Sequence, residues 1–323
     1  MHAEPDSPAG DALLPAIALR QVVRRFGALT AVDRVDLQVQ RGEVFGLIGH
    51  NGAGKSTLFK LMLGLLAPSA GELRVIGETV TGPRFRQVRR HMGYLPENVV
   101  LWDNLSGLET LHFFARLKGA AETECRALLA RVGLTEAASR PVREYSKGMR
   151  QRLGFAQALM GQPQVLFLDE PTSGLDPHAI RAFWDTLAEL RQRGVTMVLS
   201  SHILAELQHR VDRLAVMVNG RIEALGSVQA LREQRDLPLQ VTLGLEPAAI
   251  ERATAALQTL RNAWPRLQWQ PTPGGLLLQC PRAAKMALLQ AMLPLGPGLV
   301  DVQVAEPSLT DLFFSAPTPA GAA

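Results

Sequence analysis

Residues 49–56 read Gly49-His50-Asn51-Gly52-Ala53-Gly54-Lys55-Ser56 and fit the phosphate-binding pattern G-x-x-x-x-G-K-[ST]. A strand is predicted before this stretch, over Glu43–Ile48, and a helix after it, which is the context that the pattern requires. In such a loop the glycines let successive backbone N–H groups turn inward around phosphate oxygens. Lys55 then reaches the β- and γ-phosphates, and the Ser56 hydroxyl binds magnesium. The stretch therefore predicts a nucleotide-binding cradle made of Asn51, Gly52, Ala53, Gly54, Lys55, Ser56 and Thr57.

Two short apolar runs, Val165–Leu168 and Val195–Leu199, have the pattern of parallel strands that are buried on both faces. The first run ends in Asp169-Glu170, so two carboxylates follow a strand at the edge where α/β sheets bind ligands. We predict that Asp169 holds Mg²⁺ and that Glu170 accepts a proton from the attacking water, as acidic residues do in phosphoryl-transfer enzymes.

Two further features are predicted around this α/β core. Ala16–Val23 and Ala31–Val39 alternate between apolar and polar residues, which predicts an antiparallel β subdomain. The capping box at 106–109, Ser-x-x-Glu, predicts that a helix begins near Leu105, and a second helix is predicted over Glu122–Val132. This helical insertion is a candidate surface for binding a partner.

The pattern changes from Leu237 onward. Predicted elements follow in the order β-α-β-β-α-β, which is typical of a small ferredoxin-like α+β domain. With 323 residues the chain also exceeds the roughly 250–300 residues at which a single core stops growing. We therefore expect a disordered tail at 1–13, a nucleotide-binding domain at 14–235 and a small C-terminal domain at 236–323.

The composition excludes several classes of protein. A chain that is 47% hydrophobic and 20% charged is a folded globular protein rather than a disordered one. Cys125 and Cys280 lie far apart and form no CxxC, so neither a disulfide framework nor a zinc site is predicted, and a reducing compartment is expected. Residues 1–10 lack the basic start and apolar run of a signal peptide, and no apolar stretch reaches the ~20 residues that span a bilayer. Any membrane role is therefore expected to come through a partner.

Five motifs, in a fixed order, resemble the nucleotide-binding domain of ABC ATPases over about Ile17–Arg232. They are the stretch at 49–56, Tyr145–Gln151, Leu166–Pro171, Ser173–Asp176 and Ser201–His202. The resemblance implies a P-loop NTPase fold of the ABC ATPase type, with ATP and Mg²⁺ as its ligands. It also implies that two copies of the chain sandwich two ATP molecules head to tail.

The resemblance assigns roles to residues outside the cradle. It implies that Phe26 stacks on adenine, that Ser146 and Gly148 contact the γ-phosphate held by the opposite copy, that Asp176 links the two sites and that His202 contacts the γ-phosphate. One position departs from the family pattern, because Glu97 stands where most members have a glutamine that senses magnesium and couples to the membrane subunit. Its carboxylate is expected near the metal.

A second resemblance covers nearly the whole chain. His50 in the loop, Gly93–Asn98, His112–Ala120, Tyr145–Leu153 and the tail Pro307–Leu312 are similar to the ATPase subunits of Nos transporters. That family implies an ATPase dimer, peripheral on the cytoplasmic face of the inner membrane, beneath a multispan membrane subunit and a periplasmic subunit. Its role is copper-site maturation in nitrous oxide reductase. The membrane subunit is expected to bind through Asn98–Lys118.

Two other functions remain open from the sequence. The same motifs fit the ATPase of a drug or lipid exporter, because they specify the motor and not its cargo. The other alternative is a soluble ABC ATPase that acts on nucleic acid or ribosomes. No nucleic-acid partner is expected, because the densest basic run, Arg84, Arg86, Arg89 and Arg90, is interpreted as a solvated helix face.

Overall fold

The computed structural model describes residues 14–234 and 238–305, with backbone only at 232–234. The predicted tail at 1–13 and the motif at 307–312 lie outside the described residues. The strands of the described part are β1 (Ile17–Phe26), β2 (Leu29–Val39), β3 (Val44–Ile48), β4 (Ala70–Val75), β5 (Glu78–Thr79), β6 (Met92–Leu95), β7 (Val165–Asp169), β8 (Thr196–Ser201), β9 (Arg213–Val218), β10 (Arg221–Gly226), β11 (Leu239–Leu245), β12 (Gln268–Thr272), β13 (Gly275–Cys280) and β14 (Leu299–Ala305).

The α-helices of the same residues are α1 (Lys55–Met62), α2 (Phe85–Val88), α3 (Gly107–Lys118), α4 (Glu124–Arg131), α5 (Lys147–Leu159), α6 (Pro177–Gln192), α7 (Leu204–Leu207), α8 (Val228–Gln234), α9 (Ile250–Ala263) and α10 (Lys285–Met292). Short 3₁₀ turns lie at Arg89–His91, Val142–Glu144, Pro247–Ala249, Arg282–Ala284 and Leu293–Gly298.

A six-stranded sheet, in the order β10-β9-β3-β8-β7-β6, positions the candidate site. Adjacent strands from β9 through β3, β8 and β7 to β6 pair in parallel. Every residue of β3, β7 and β8 is buried, as predicted for strands covered on both faces. In the register, Ser200 of β8 lies between Leu47 of β3 and Asp169 of β7. The loop that follows β3 and the two carboxylates that follow Leu168 are therefore brought to the same edge.

A four-stranded antiparallel sheet, in the order β2-β1-β4-β5, includes the strand pair predicted at the start of the chain. The hairpin is longer than predicted, because β1 continues to Phe26 and β2 starts at Leu29. The helix α1 connects this sheet with the parallel one: Phe59 contacts Phe167 edge to face, with 5.8 Å between ring centroids, and lies in one apolar cluster with Val22 and Val35. Burial of α1 therefore fixes the position of the loop at 49–56.

The capping box predicted at 106–109 is formed. The Glu109 N–H donates to the Ser106 hydroxyl, and the Glu109 carboxylate accepts from the Ser106 N–H at 2.8 Å. The helix α3 begins at Gly107, because Ser106 is its N-cap, and α4 is shorter than the segment predicted for it.

The burial of the Lys118 ammonium, at the end of α3, can be tested through the pH dependence of the free energy of unfolding. This ammonium donates to the Met160 carbonyl at 2.6 Å, and burial lowers the pKa of Lys118 from 10.5 to about 8, although Glu124 acts in the opposite direction. Between those two values the unfolded chain binds more protons than the folded chain, so the free energy of unfolding should rise with pH. We expect Lys118→Met to remove this rise in urea denaturation from about pH 7 to 10. A difference between the two proteins that stays constant with pH would contradict the expectation.

Internal contacts divide the chain into two units between Ser227 and Val228, whereas the sequence places the boundary at 235/236. In the second unit the strands form an antiparallel sheet in the order β12-β13-β11-β14. Side chains of α9 and α10, among them Leu257 and Leu288, form one buried cluster with Val241 and Leu278 of the sheet. One face of this sheet is therefore covered by helices.

Candidate functional site

A cleft of about 580 Å³ lies at the carboxyl edge of the parallel sheet. Ten of the predicted site residues form its wall: Phe26, Asn51, Gly52, Gly54, Lys55, Ser56, Thr57, Glu97, Asp169 and Glu170. Ala53 lies behind the wall, where its side chain is buried. Ser146, Gly148, Asp176 and His202 are not among the lining residues. The cleft thus collects the predicted cradle, the two acidic residues after β7, Glu97 and the one predicted aromatic.

Two glycines give the loop its shape. Gly54 has φ +106°, and a Cβ on it would lie 2.4 Å from the Ala31 carbonyl oxygen, so a side chain cannot be accommodated there. Gly52 has φ +85°, and a Cβ on it would meet nothing within 4 Å, because this glycine borders the open cleft. The loop is therefore held against β2 on one side, while its other side leaves room for a ligand.

Lys55 is a buried cation at the floor of the cleft, with 6% of its surface exposed. Its ammonium donates to the Gly49 carbonyl at 2.5 Å and to the His50 carbonyl at 3.3 Å, and it lies 3.8 Å from Glu170 Oε1. Burial lowers the pKa of Lys55, while the nearby carboxylates of Glu170, Asp169 and Glu97 raise it. The cleft therefore places one lysine among acidic groups, with its charge held by carbonyls of the loop and by Glu170.

Glu170 is held in a strained position after β7. Its φ is +46°, in the left-handed region that non-glycine residues rarely adopt, and its N–H donates to the Ser200 hydroxyl at 3.0 Å. One carboxylate oxygen, Oε2, lies 2.8 Å from Nδ1 of His202. The other, Oε1, is buried and has no hydrogen-bond partner among the described residues. A carboxylate that is fixed at one oxygen and has no hydrogen bond at the other can accept a proton from a water in the cleft.

The residues present fit a magnesium ion. The Ser56 hydroxyl and the Asp169 carboxylate both line the cleft, and oxygen atoms are the ligands that Mg²⁺ prefers. Asp169 is buried and accepts a hydrogen bond from the Ser200 hydroxyl, which orients it. No group of three or more His, Cys, Asp or Glu side chains in the described part of the chain could hold a metal alone. Mg²⁺ is usually bound through one or two carboxylates together with substrate phosphates and water.

Ser146 and Asp176 lie at helix N-termini outside the cleft. The Ser146 hydroxyl accepts from the Met149 N–H at 3.2 Å, as the N-cap of α5. The Asp176 carboxylate accepts from the N–H groups of His178 and Ala179 in the first turn of α6. These two hydrogen bonds lower the pKa of Asp176, and the bond from Ala179 has the larger effect. Within one copy, these residues do not line the cleft that contains Lys55.

The sequence analysis missed the turn that supports the loop from behind. Asn219 and Gly220 join β9 to β10 with φ of +47° and +80°, and both line the cleft. The Gly220 N–H donates to the Ala53 carbonyl at 2.9 Å, and the Gly220 carbonyl accepts from the Asp33 backbone N–H at 2.8 Å. Asn-Gly between two apolar runs is a strong hairpin signal and predicts the turn. Its contact with the loop, more than 160 residues earlier, follows only from the sheet order.

Comparisons with known proteins agree with this geometry. The family model described as "ABC transporter" matches residues 32–173. The chain is 39% identical to the uncharacterized ABC transporter ATP-binding protein YhcH of Bacillus subtilis, over 66% of this chain and 70% of that protein. The chain belongs to the ABC transporter family of ATP-binding proteins.

Other members of the ABC transporter family are similar over most of the first unit. Human phospholipid-transporting ATPase ABCA3 is 40% identical to this chain over 71% of its residues. The probable multidrug ABC transporter ATP-binding protein YbhF of Escherichia coli is 37% identical over 73% of this chain. The chain spans only 9–14% of the length of the sub-family A members that it matches and 41% of YbhF. A solved ATP-binding subunit of an ABC transporter superposes with a TM-score of 0.64 at 33% identity, over 68% of this chain and 93% of that one.

Membership of the ABC family identifies the ligands of the cleft. The chain is an ABC-type ATPase whose substrate is ATP and whose metal is Mg²⁺. In the described segments, every helix is too short or too polar to cross a membrane.

Proposed function

We propose that this chain is the ATP-hydrolysing motor subunit of an ABC transporter, driving a separate membrane subunit. The observation that carries the proposal is the cleft, which joins the loop at 49–56 to Asp169 and Glu170. Phe26 supports an adenine site, because it is 42% exposed, lines the cleft and stacks with the Arg24 guanidinium at 4.6 Å. The loop would then hold the phosphates, with Lys55 at the β- and γ-phosphates.

We assign hydrolysis to Glu170. Its Oε1, which has no hydrogen-bond partner among the described residues, would accept a proton from a water directed at the γ-phosphate, and the contact with His202 would keep the carboxylate in place. Ser56 and Asp169 would hold Mg²⁺, with Glu97 beside them in the wall. When bound, Mg²⁺ neutralises the charge that develops on the phosphate oxygens. Lys55, which lines the same cleft, would add a second positive charge near the phosphates.

The site needs a second copy of the chain. Ser146 and Gly148 lie outside the cleft of their own copy, so we propose that they complete the ATP site of the partner copy and that Asp176 connects the two sites. In this scheme ATP favours the closed dimer because both copies bind it, and hydrolysis reopens the dimer. One copy alone should therefore hydrolyse ATP poorly.

The segment Asn98–Lys118 is the proposed contact with a multispan membrane subunit. It exposes large apolar side chains: Val100 at 88%, Trp102 at 48%, Phe113 at 39% and Leu117 at 67%. Trp102 and Phe113 contact each other edge to face, with 4.6 Å between ring centroids. Exposed apolar groups clustered in this way mark interaction sites. The chain would then lie peripherally on the cytoplasmic face of the inner membrane.

For the cargo, we propose copper-site maturation of nitrous oxide reductase, with a periplasmic subunit in the same complex. The support is the resemblance to Nos ATPase subunits at His50, Gly93–Asn98, His112–Ala120 and Tyr145–Leu153. The second candidate is a drug or lipid exporter, and the names of the similar ABCA3 and YbhF proteins favour it. Copper need not contact this chain in either case, because transport would take place in the membrane subunit.

Copurification would distinguish these cargo classes. We expect tagged Glu170→Gln protein, extracted from membranes in detergent with ATP, to retain a multispan protein that mass spectrometry identifies. Trp102→Asp in the same background should lose it, whereas the control Leu293→Asp, at a leucine that is 72% exposed elsewhere, should not. A Nos-type periplasmic subunit would support copper maturation, and a multispan protein alone would support an exporter. Recovery without any membrane protein, bound to nucleic acid, would contradict both.

We propose that residues 236–323 are a ferredoxin-like domain that stabilises the dimer or regulates its closure. The order of elements and the antiparallel sheet of the described part support the fold assignment.

A further inference from the structure

The C-terminal sheet has a second face, opposite α9 and α10, that no described residue covers. Its exposed side chains include Gln240, Gln268, Gln270, Gln279 and Gln303. Strand pairing places Gln268, Gln279 and Gln240 side by side on β12, β13 and β11. Thr242 and Gln303 are paired in the next row. We call this surface, defined by the five glutamines above, the glutamine face.

The glutamine face lacks charge. Three positions on each of the four strands point to this side, and among these described positions Asp301 alone is ionisable. Seven of these positions are exposed, and about 25–35% of a typical surface is charged, so about two charged residues would be expected on the face. The Asp301 carboxylate is already bonded, because it accepts from the Gln303 amide at 3.0 Å and from the Val302 N–H at 2.8 Å. A charged partner or nucleic acid would find no opposite charge to pair with.

Amide side chains are able to pair with copies of themselves. Each glutamine carries two N–H donors and a carbonyl acceptor, so a row of glutamines is complementary to the same row turned by a twofold axis. The amides of Gln240, Gln268, Gln270 and Gln279 have no hydrogen-bond partner within the described part of the chain. A charged row in the same place would repel its own copy. An apolar segment would bury these amides without partners, which is unfavourable.

We propose that the glutamine face binds the glutamine face of a second copy when ATP closes the dimer. This inference rests on the ATP-dependent dimer proposed above. With strands about 4.8 Å apart and three outward residues on each, the face measures roughly 20 Å by 20 Å, or about 400 Å² per copy. A stable interface needs about 800 Å² per copy. The face is therefore too small to hold a dimer alone, and it adds affinity once the ATP sites have joined two copies.

A charge-swap experiment tests this contact. In the Glu170→Gln background, one protein would carry Gln240→Glu with Gln279→Glu, and a second would carry Gln240→Lys with Gln279→Lys. Because each variant repels its own copy, we expect ATP-dependent dimerisation in sedimentation velocity to weaken at least tenfold for each alone at low salt. An equal mixture should return to within about threefold of the parent, because opposite charges then meet. All forms should be monomeric without ATP.

The matched control carries Gln258→Glu with Gln290→Glu, which makes the same chemical change on exposed residues of α9 and α10, on the other side of the sheet. It should dimerise like the parent. Two results would overturn the contact: unchanged dimerisation of the glutamate variant, or weak dimerisation of both variants that mixing does not restore. Failure of the parent itself to dimerise with ATP would instead contradict the proposed function.

Discussion

Replacing Glu170 with Gln should lower the rate of ATP hydrolysis by about 10²- to 10⁴-fold and leave ATP binding nearly unchanged. Positioned general bases contribute rate factors of this size. The amide keeps the shape of the side chain but cannot accept the proton, and Oε1 is the oxygen that has no hydrogen-bond partner in the described residues. Single-turnover hydrolysis with excess enzyme measures the chemical step, and equilibrium titration with ATP measures binding.

The matched control for Glu170 is Glu206→Gln. Glu206 lies nearby and accepts from the Thr172 hydroxyl at 2.9 Å, but it does not line the cleft. The Glu206→Gln protein should hydrolyse ATP at a rate within a few fold of the parent rate. A third variant, His202→Ala, removes the contact at Oε2 without removing the base, so an intermediate loss of turnover is expected. Unchanged single-turnover hydrolysis by Glu170→Gln would remove Glu170 from the role of base.

Much of the fold could be predicted because its signals are local. The buried runs at β7 and β8, the alternation in β1 and β2 and the capping box before α3 each depend on residues that are close in sequence. The P-loop pattern likewise places glycine where the backbone has a positive φ, +85° at Gly52 and +106° at Gly54. In each of these elements, burial and backbone geometry follow from the sequence pattern of fewer than about twelve consecutive residues.

The features that could not be predicted depend on contacts between distant segments. Ser200 orients Asp169 and supports Glu170, yet a serine in a buried strand has no pattern that predicts this role. The contact of Asn219-Gly220 with the loop depends on β9 lying beside β3. The strained φ of Glu170 is imposed by packing around the end of β7 and contradicts its local propensity. Sequence patterns found the groups that carry the chemistry, whereas their support comes from the sheet order.

Replacing Lys55 with Ala should weaken ATP binding by about 10- to 100-fold, because hydrogen bonds to charged groups each contribute about 1.5–3 kcal/mol. Lys55 is the cation on the floor of the cleft, and its ammonium is already desolvated, so little further dehydration accompanies phosphate binding. Its removal also leaves the buried carboxylate of Glu170 without the cation 3.8 Å away, which adds repulsion toward phosphate. Both effects act in the same direction.

Lys60→Ala is the control for Lys55→Ala, because Lys60 lies on the same helix α1 and is exposed. It should bind ATP like the parent. Calorimetric titration with ATP and Mg²⁺ gives the affinities, and thermal unfolding without nucleotide shows whether the variants fold. Since Lys55 bonds only to carbonyls of its own loop and contacts Glu170, the apo protein should unfold within a few degrees of the parent. Normal ATP affinity in a folded Lys55→Ala protein would mean that the loop holds phosphate through its backbone N–H groups alone, and the role assigned to the lysine would be wrong.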